Sequence, residues 1–252
     1  MPLCVMAAGA TDVGRCRQRN EDRFAIVPHQ RLFIVADGMG GHRCGATASR
    51  VATETIVEFF RRSGSPGFEW PHRPDARLSL PENRLLSAIR AANSSVYEQG
   101  LESRDCKGMG STVVASVFDP QTEHMIVGHV GDSRAYRVRA REITRMTRDH
   151  SLTGEAIASE QGVWFERLAK NALTRALGLS PSAVVDLRKE PVNAGDVFVL
   201  CSDGLTSLVA DQEILALILA NSDLQQACAA LIERANGAGG DDNVTVVVMR
   251  VI

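Results

Sequence analysis

The distribution of strand-like and helix-like runs constrains the fold of this chain more than any other feature. Short apolar runs rich in Val, Ile, Phe and Ala occur at residues 24–27, 32–36, 112–118, 124–130, 134–139, 184–189, 197–201 and 244–251, and each reads as a strand. Helical periodicity is confined to 43–62, 82–99 and 211–235, the last as two helices opening near Asp211 and Asp223. Strands cluster and helices pair, without alternation of strand and helix. That pattern predicts an α+β layered domain with largely antiparallel sheets, not a doubly wound parallel one. Residues 64–81, rich in Pro and Gly and without a clean period, predict a surface excursion between two helices. With no repeat of solenoid length, one domain over residues 1–252 is the simplest reading.

Charge narrows the function. Lys and Arg number 28 against 30 Asp and Glu, so no global basic field points to nucleic acid or to an anionic membrane. No run approaches the roughly 18 apolar residues of a spanning helix, and the first residues lack a basic leader ahead of an apolar core. A cytoplasmic location is expected. The cysteines at 4, 16, 44, 106, 201 and 228 form no CxxC pair, which predicts reduced, mostly buried thiols and neither a zinc site nor a disulfide framework.

The chemistry shows in a recurring motif. LFIVADGMGGH (32–42) drives an apolar run into Asp37 and Gly38, and VFVLCSDGL (197–205) does the same at Asp203 and Gly204. RQRNEDRFAIV sets Glu21 and Asp22 just before a strand, GHVGDSRAYRV sets Asp132 between two, and GGDDNVTVVVMRV sets Asp241 and Asp242 ahead of the last. A single Asp-Gly between strands is usually a hairpin turn. Several acids gathered at one sheet edge are another matter, because they raise one another's pKa unless a cation neutralises them. An all-oxygen donor set implies a hard ion, Mg²⁺ or Mn²⁺, with Ca²⁺ as a competitor. On this reading Gly38 permits an unusual turn that offers its carbonyl to a second ion, while Gly40 and Gly41 keep side chains clear of a substrate. Two ions about 3.5–4 Å apart, bridged by one Asp, would activate a water between them, which is hydrolytic chemistry.

These residues resemble the metal-dependent protein phosphatases of type 2C, which hydrolyse phosphoserine and phosphothreonine. The resemblance runs in register through RQRNEDRF (17–24), VADGMGGH (35–42), GSTVVASVF (110–118), GHVGDSRAYRV (128–138), LTRALG (173–178), LCSDGL (200–205) and GGDDNVTVVV (239–248), and DGMGGH is similar to the bacterial branch. It implies a four-layer αββα sandwich of two mainly antiparallel sheets flanked by helix pairs. It implies two core Mn²⁺ or Mg²⁺ ions: Asp37 bridging both, Gly38 giving its backbone oxygen to the second, and Asp203 and Asp242 completing the first. Asp22, with Glu21 beside it, matches the acid that holds metal-bound water or completes the second site, and Asp132 with Asp203 matches a third, weaker site. Arg17 takes the place of the arginine that grips the substrate phosphate. His42 and Asn243 stand beside these ligands in supporting places; His42 suits catalytic help or plain packing equally.

The implied mechanism is direct attack by a metal-bridging hydroxide, without a phosphoenzyme, on phosphorylated proteins that a Ser/Thr kinase has made. Cys201, with no CX5R cradle after it, then reads as a buried strand residue and not a nucleophile. Met39 stands where animal members have a histidine, and Ala46 where many bacterial members have a glutamate. His129 and His150 have no partner at ligand spacing and read as polar strand-end residues. Residues 151–171, with Trp164 and Phe165, correspond to the family's flap or to an amphipathic helix on the sheet. Other readings fare worse. A catalytically weak or inactive partner-binding regulator should have lost metal aspartates, yet Asp37, Asp203 and Asp242 are present. A partner-switching phosphatase would carry a sensor domain, and a nucleotide binder would carry GxxxxGKS/T or GxGxxG, which are absent. No nucleic-acid or membrane partner is expected, and the chain is expected to be a monomer.

Overall fold

The computed structural model describes residues 3–40, 44–65, 67–71, 73–102, 104–152 and 172–252. In chain order its strands are β1 (Val5–Asp12), β2 (Asp22–Val27), β3 (Leu32–Met39), β4 (Gly110–Ser111), β5 (Val113–Asp119), β6 (His124–Val130), β7 (Arg134–Arg139), β8 (Glu142–Arg145), β9 (Asp186–Pro191), β10 (Val197–Cys201) and β11 (Val244–Val251). The helices are α1 (Cys44–Ser63), α2 (Leu80–Glu102), the single turn α3 (Asp203–Thr206), α4 (Asp211–Ala220) and α5 (Leu224–Gly237). Two antiparallel sheets result, one ordered β1-β11-β10-β7-β8 and the other β2-β3-β5-β6-β9, with β4 paired to the end of β3.

Why the central strands read as unbroken apolar runs follows from their two buried faces. Side chains alternate along a strand. On β3, Leu32 and Ile34 pack under α1 and α2 with Ile56, Phe60 and Ile89. Phe33 and Val35 point the other way, into the layer between the sheets, where they meet Phe198, Leu200, Val247 and Met249. On β11, Val244, Val246 and Val248 pack under α4 and α5 with Ile214 and Leu231. The order is helices, sheet, sheet, helices, the expected four-layer αββα sandwich. Each fully buried Leu, Ile or Phe contributes about 1.5–3 kcal/mol by leaving water. The helices are held by the same logic. Ala48, Ala52, Ile56, Phe59 and Phe60 put one buried stripe on α1, and the Asp223 carboxylate caps α5 by accepting the Gln226 backbone N–H at 2.8 Å.

Several details correct the sequence reading. β1 and β8 were not legible as strands: β1 (VMAAGATD) is a half-buried edge of small residues, and β8 has four residues. β9 starts two residues later than the run at 184–189. The excursion after α1 is not wholly at the surface, because Phe68 and Trp70 turn back against Phe59 with ring centroids 5.3 and 6.1 Å away. The cysteines are corrected most. Cys44 and Cys106, 62 residues apart in sequence, form a disulfide with a Cα–Cα distance of 5.3 Å, and Cys4 and Cys16 are exposed; only Cys201 and Cys228 are buried free thiols. No local spacing announces a bridge that the packing of α1 on the chain before β4 creates.

Candidate active site

Strand parity places the first acid. Phe33 and Val35 face the layer between the sheets, so Asp37, two residues on, emerges on the same face at the open end of the sandwich. β2 runs antiparallel to β3 with Asp22 directly opposite Asp37. Asp203 opens α3 just after β10, Asp242 precedes β11, and Asp132 sits in the turn between β6 and β7. Arg17, Glu21, Asp37, Gly38, Asp132, Asp203, Asp242 and Asn243 line one cleft of about 420 Å³, with Ala172, Leu173 and Leu179 on its wall. Asp22 lies behind that lining, 7% exposed, accepting the Ser202 hydroxyl at 2.7 Å. Asp241 is exposed and outside the lining. His42, Gly41 and residues 153–171 of the expected flap lie outside the described residues.

The glycines after the acids serve a different purpose from the expected turn. β3 continues through Gly38 to Met39, and a Cβ on Gly38 would lie 1.9 Å from the Gly45 carbonyl oxygen. A Cβ on Gly204 would lie 2.0 Å from the Asn243 carbonyl oxygen. Close approach of two backbones, not φ, demands glycine at both positions.

The acids are under electrostatic tension. Burial, reinforced by Asp22, Asp203, Asp242 and Asp132, holds the Asp37 carboxyl well above the usual carboxylate range. Burial pushes Asp22 up to about 6 although Thr245 and Ser202 donate to it, with Asp203 and Asp242 adding to the rise. Asp132 is pushed up to about 7 by burial and by Asp203 and Asp149. Asp203 is raised by burial and Asp242. Among the described residues the oxygens Asp22 Oδ1 and Asp203 Oδ1 are shielded from water without a hydrogen-bond partner, a costly state for a carboxylate. Arg17 pairs directly with this cluster, its Nη2 donating to Asp242 Oδ2 at 2.8 Å, and Arg134 draws on Asp132 and Asp203 from nearby. Unsatisfied oxygens, mutually raised acids and an all-oxygen donor set fit hard divalent cations.

Thr112, which sequence reasoning missed, and Asn243, which it named as a support, hold this cluster in place. Thr112 Oγ1 accepts the Asp37 N–H at 3.0 Å while the Thr112 N–H donates to Asp37 O at 2.8 Å. Asn243, expected only as a support, clamps the 13–21 segment. Its Nδ2 donates to Val13 O and Arg19 O, both at 2.9 Å, and its Oδ1 accepts the Glu21 N–H at 2.8 Å. Ala46, at the glutamate position, contributes a backbone N–H to the Glu21 carboxylate, a contact its side chain does not affect. Met39 lines the cleft. The sequence signal for Thr112 and Ser202 is only a hydroxyl beside a motif, as in GST and SDG.

His129 and His150 do have partners, contrary to expectation. Their rings stack 4.6 Å apart at 17°, His150 Nε2 lies 3.1 Å from Asp186 Oδ2, and Arg175 Nη1 lies 3.1 Å from Asp186 Oδ1. The three potential ligand atoms lie within 4.8 Å of one another. Nearly parallel imidazoles cannot aim in-plane lone pairs at one ion, and Arg175 already neutralises Asp186, so the group ties the chain after β8 to β6 and β9. Cys201 alternates with Leu200 and faces the α4–α5 layer, away from the cleft; burial pushes its thiol up to about 12, which favours the neutral thiol over a nucleophilic thiolate.

A two-sheet sandwich with helix pairs outside and a carboxylate-lined cleft at one end defines a class, and comparison with known proteins gives it a name. The family described as protein phosphatase 2C matches residues 14–242, and the chain belongs to that family. The serine/threonine phosphatase stp of Listeria monocytogenes is 34% identical over 250 residues, covering 95% of this chain and 93% of that one. The crystal structure of the Mycobacterium tuberculosis serine/threonine phosphatase PstP/Ppp aligns with a TM-score of 0.84 and 31% identity over 98% of each chain. The catalytic domain of the phosphatase PstP in complex with 2 manganese ions aligns with a TM-score of 0.81 and 32% identity over 99% of each.

Proposed function

We propose that this chain is one catalytic domain that removes phosphate from phosphoserine and phosphothreonine in proteins. The observation that carries the reading is the convergence of Glu21, Asp37, Asp132, Asp203 and Asp242 on one cleft with Arg17 at its rim. Loss of those acids would favour an inactive partner-binding regulator; all are retained.

Asp37, the Gly38 carbonyl, Glu21, Asp203 and Asp242 would hold two Mn²⁺ or Mg²⁺ ions, and Asp132 with Asp203 a third. Such ions supply Lewis acidity, drawing charge from phosphoryl oxygens and making an attacking water acidic at neutral pH. The chain's own residues do the rest. Arg17, with its side chain half exposed and paired to Asp242, exchanges that carboxylate for two phosphate oxygens, a match of planar fork to planar pair. Asp22 anchors the acid row from behind, held by the Ser202 hydroxyl. Water attacks phosphorus in line, the bond from phosphorus to the serine or threonine oxygen breaks, and the leaving oxygen takes a proton from solvent. Arg17 stabilises charge on the equatorial oxygens throughout.

Among the described residues no helix is long and apolar enough to cross a membrane. Action in the cytoplasm as a monomer, against the products of a Ser/Thr kinase, completes the proposal. The test is phosphate release from a phosphothreonine peptide and from p-nitrophenyl phosphate by the purified chain. Turnover with Mn²⁺ that EDTA abolishes is expected; a folded, Mn²⁺-loaded protein that releases none would return the regulator reading.

A further inference from the structure

The proposed active site is built against a disulfide. Cys44 is the first residue of α1, and its neighbour Gly45 packs so closely on the site that an added Cβ would lie 2.6 Å from Glu21 Oε2 and 2.7 Å from Gly38 O. The next residue, Ala46, gives its backbone N–H to the Glu21 carboxylate, and Ser49 Oγ donates to Glu21 O. The first turn of α1 therefore sets where Glu21 and the Gly38 carbonyl stand. The other half of the bridge reaches the same place. Cys106 O accepts the Met109 N–H at 2.9 Å, Gly110 and Ser111 pair with Met39 and Gly38, and Ser111 Oγ donates to Asp37 O at 3.0 Å. Both arms leading from the sulfurs end on Asp37, Gly38 or Glu21.

We propose that Cys44–Cys106 is a reversible redox site that positions the first turn of α1 and thereby sets the divalent-cation affinity of the carboxylate cleft. The proposal rests on the reading that this cleft holds Mn²⁺ or Mg²⁺. In the reducing compartment proposed above a disulfide persists only if it is exchanged or protected, and this one is open to exchange. Cys44 is 3% exposed while Cys106 is half-buried, so Cys106 is the half of the bridge nearer to solvent and the one a small thiol would meet. Its thiolate attacks there, the S–S bond breaks, and Cys44 leaves as a thiolate at the start of a helix, where the helix dipole favours negative charge. Cys44 then takes a proton. A second thiol attacks the mixed disulfide and frees Cys106 as a thiol, so two small thiols give two electrons and two protons and depart as one disulfide. The reduced form has a place ready: the Cys44 sulfur lies 3.4 Å from the Asp105 carbonyl oxygen, which accepts its S–H. Small-molecule disulfides run the exchange backwards.

The experiment is calorimetric titration of the metal-free full chain with Mn²⁺, oxidised or reduced, the reductant being removed under anaerobic conditions and the two extra thiols counted. Reduction is expected to weaken Mn²⁺ binding about tenfold, the scale on which residues that orient metal ligands act. Cys44→Ser and Cys106→Ser are expected to bind like the reduced protein and to lose the redox response. A merely structural bridge would lower Tm on reduction and leave the Mn²⁺ Kd unchanged within about twofold, and that result overturns the proposal. Asp203→Asn separates the two ideas. If it abolishes Mn²⁺ uptake while reduction changes nothing, only the redox role falls; if it binds Mn²⁺ like the unaltered chain, the metal reading falls and takes the redox role with it.

Discussion

Asp22 and Asp37 stand directly opposite each other on the antiparallel strands β2 and β3, with side chains on one face. Like charges in that relationship repel, and the burial of both carboxyls adds to the cost. The pair makes sense as part of a site whose charge is completed from outside the chain.

The first expectation concerns pH. The carboxyl of Asp22 is raised to about 6 and that of Asp132 to about 7, against ordinary values near 4 in the unfolded chain. Between those limits the folded protein holds more protons than the unfolded one, so stability falls as pH rises. Below about pH 4 the contribution is fully present; above the folded values it is gone. The steps belong to the coupled cluster and not to single residues. Metal-free protein in EDTA should therefore melt at a lower temperature at pH 7.5 than at pH 5.5, and Mn²⁺ should restore Tm at pH 7.5. A Tm that climbs with pH in EDTA would contradict the tension described.

Two residues two positions apart in sequence should behave oppositely. Asp203→Asn should lower kcat by more than about 100-fold with far-ultraviolet circular dichroism unchanged. Cys201→Ala should retain activity within a few-fold, because the thiol faces the helices. Complete loss of turnover in a folded Cys201→Ala protein would revive a thiol mechanism.

Arg17 divides binding from catalysis. Arg17→Ala should reduce kcat/KM for a phosphothreonine peptide by about 10–100-fold, the worth of hydrogen bonds to a charged group, with most of the loss in KM. Mn²⁺ Kd should change much less. Lysine should restore little, since a point charge does not reproduce the fork. An unaltered KM in Arg17→Ala would remove this residue from phosphate binding.

Backbone proximity makes its own forecast. Gly38→Ala forces a Cβ within 1.9 Å of a carbonyl oxygen, and chemical denaturation should show a loss above about 3 kcal/mol. Gly237, at the end of α5, has nothing within 4 Å of an added Cβ. There Gly→Ala should raise stability by about 0.4–1 kcal/mol. Equal midpoints for the two variants would show that the approach at Gly38 is not tight.

Much of this was legible along the chain because the physics involved is local. Unbroken apolar runs located β3, β10 and β11, and the 3.6-residue period located α1, α4 and α5, since the burial of each segment is written in its own composition. β1 escaped because small residues on a half-buried edge have no contrast to read. The acids at strand ends were visible as motifs, and Arg17, Glu21, Asp37, Asp132, Asp203 and Asp242 do meet in one cleft. The disulfide, the stacking of His129 on His150, and the placing of Thr112 and Ser202 beside Asp37 and Asp22 were not visible. Each joins residues with no common pattern.

Single segments carried the layered α+β class, the family and the chemistry of the donors, because apolar runs, helical period and side-chain type are each written within one stretch of chain. The tertiary structure decided which acids face each other, that Gly38 and Gly204 answer to neighbouring carbonyls instead of turns, and that Cys44 meets Cys106. Those outcomes depend on strand register and on the docking of α1 against β4, which arise only when distant segments compete for the same space.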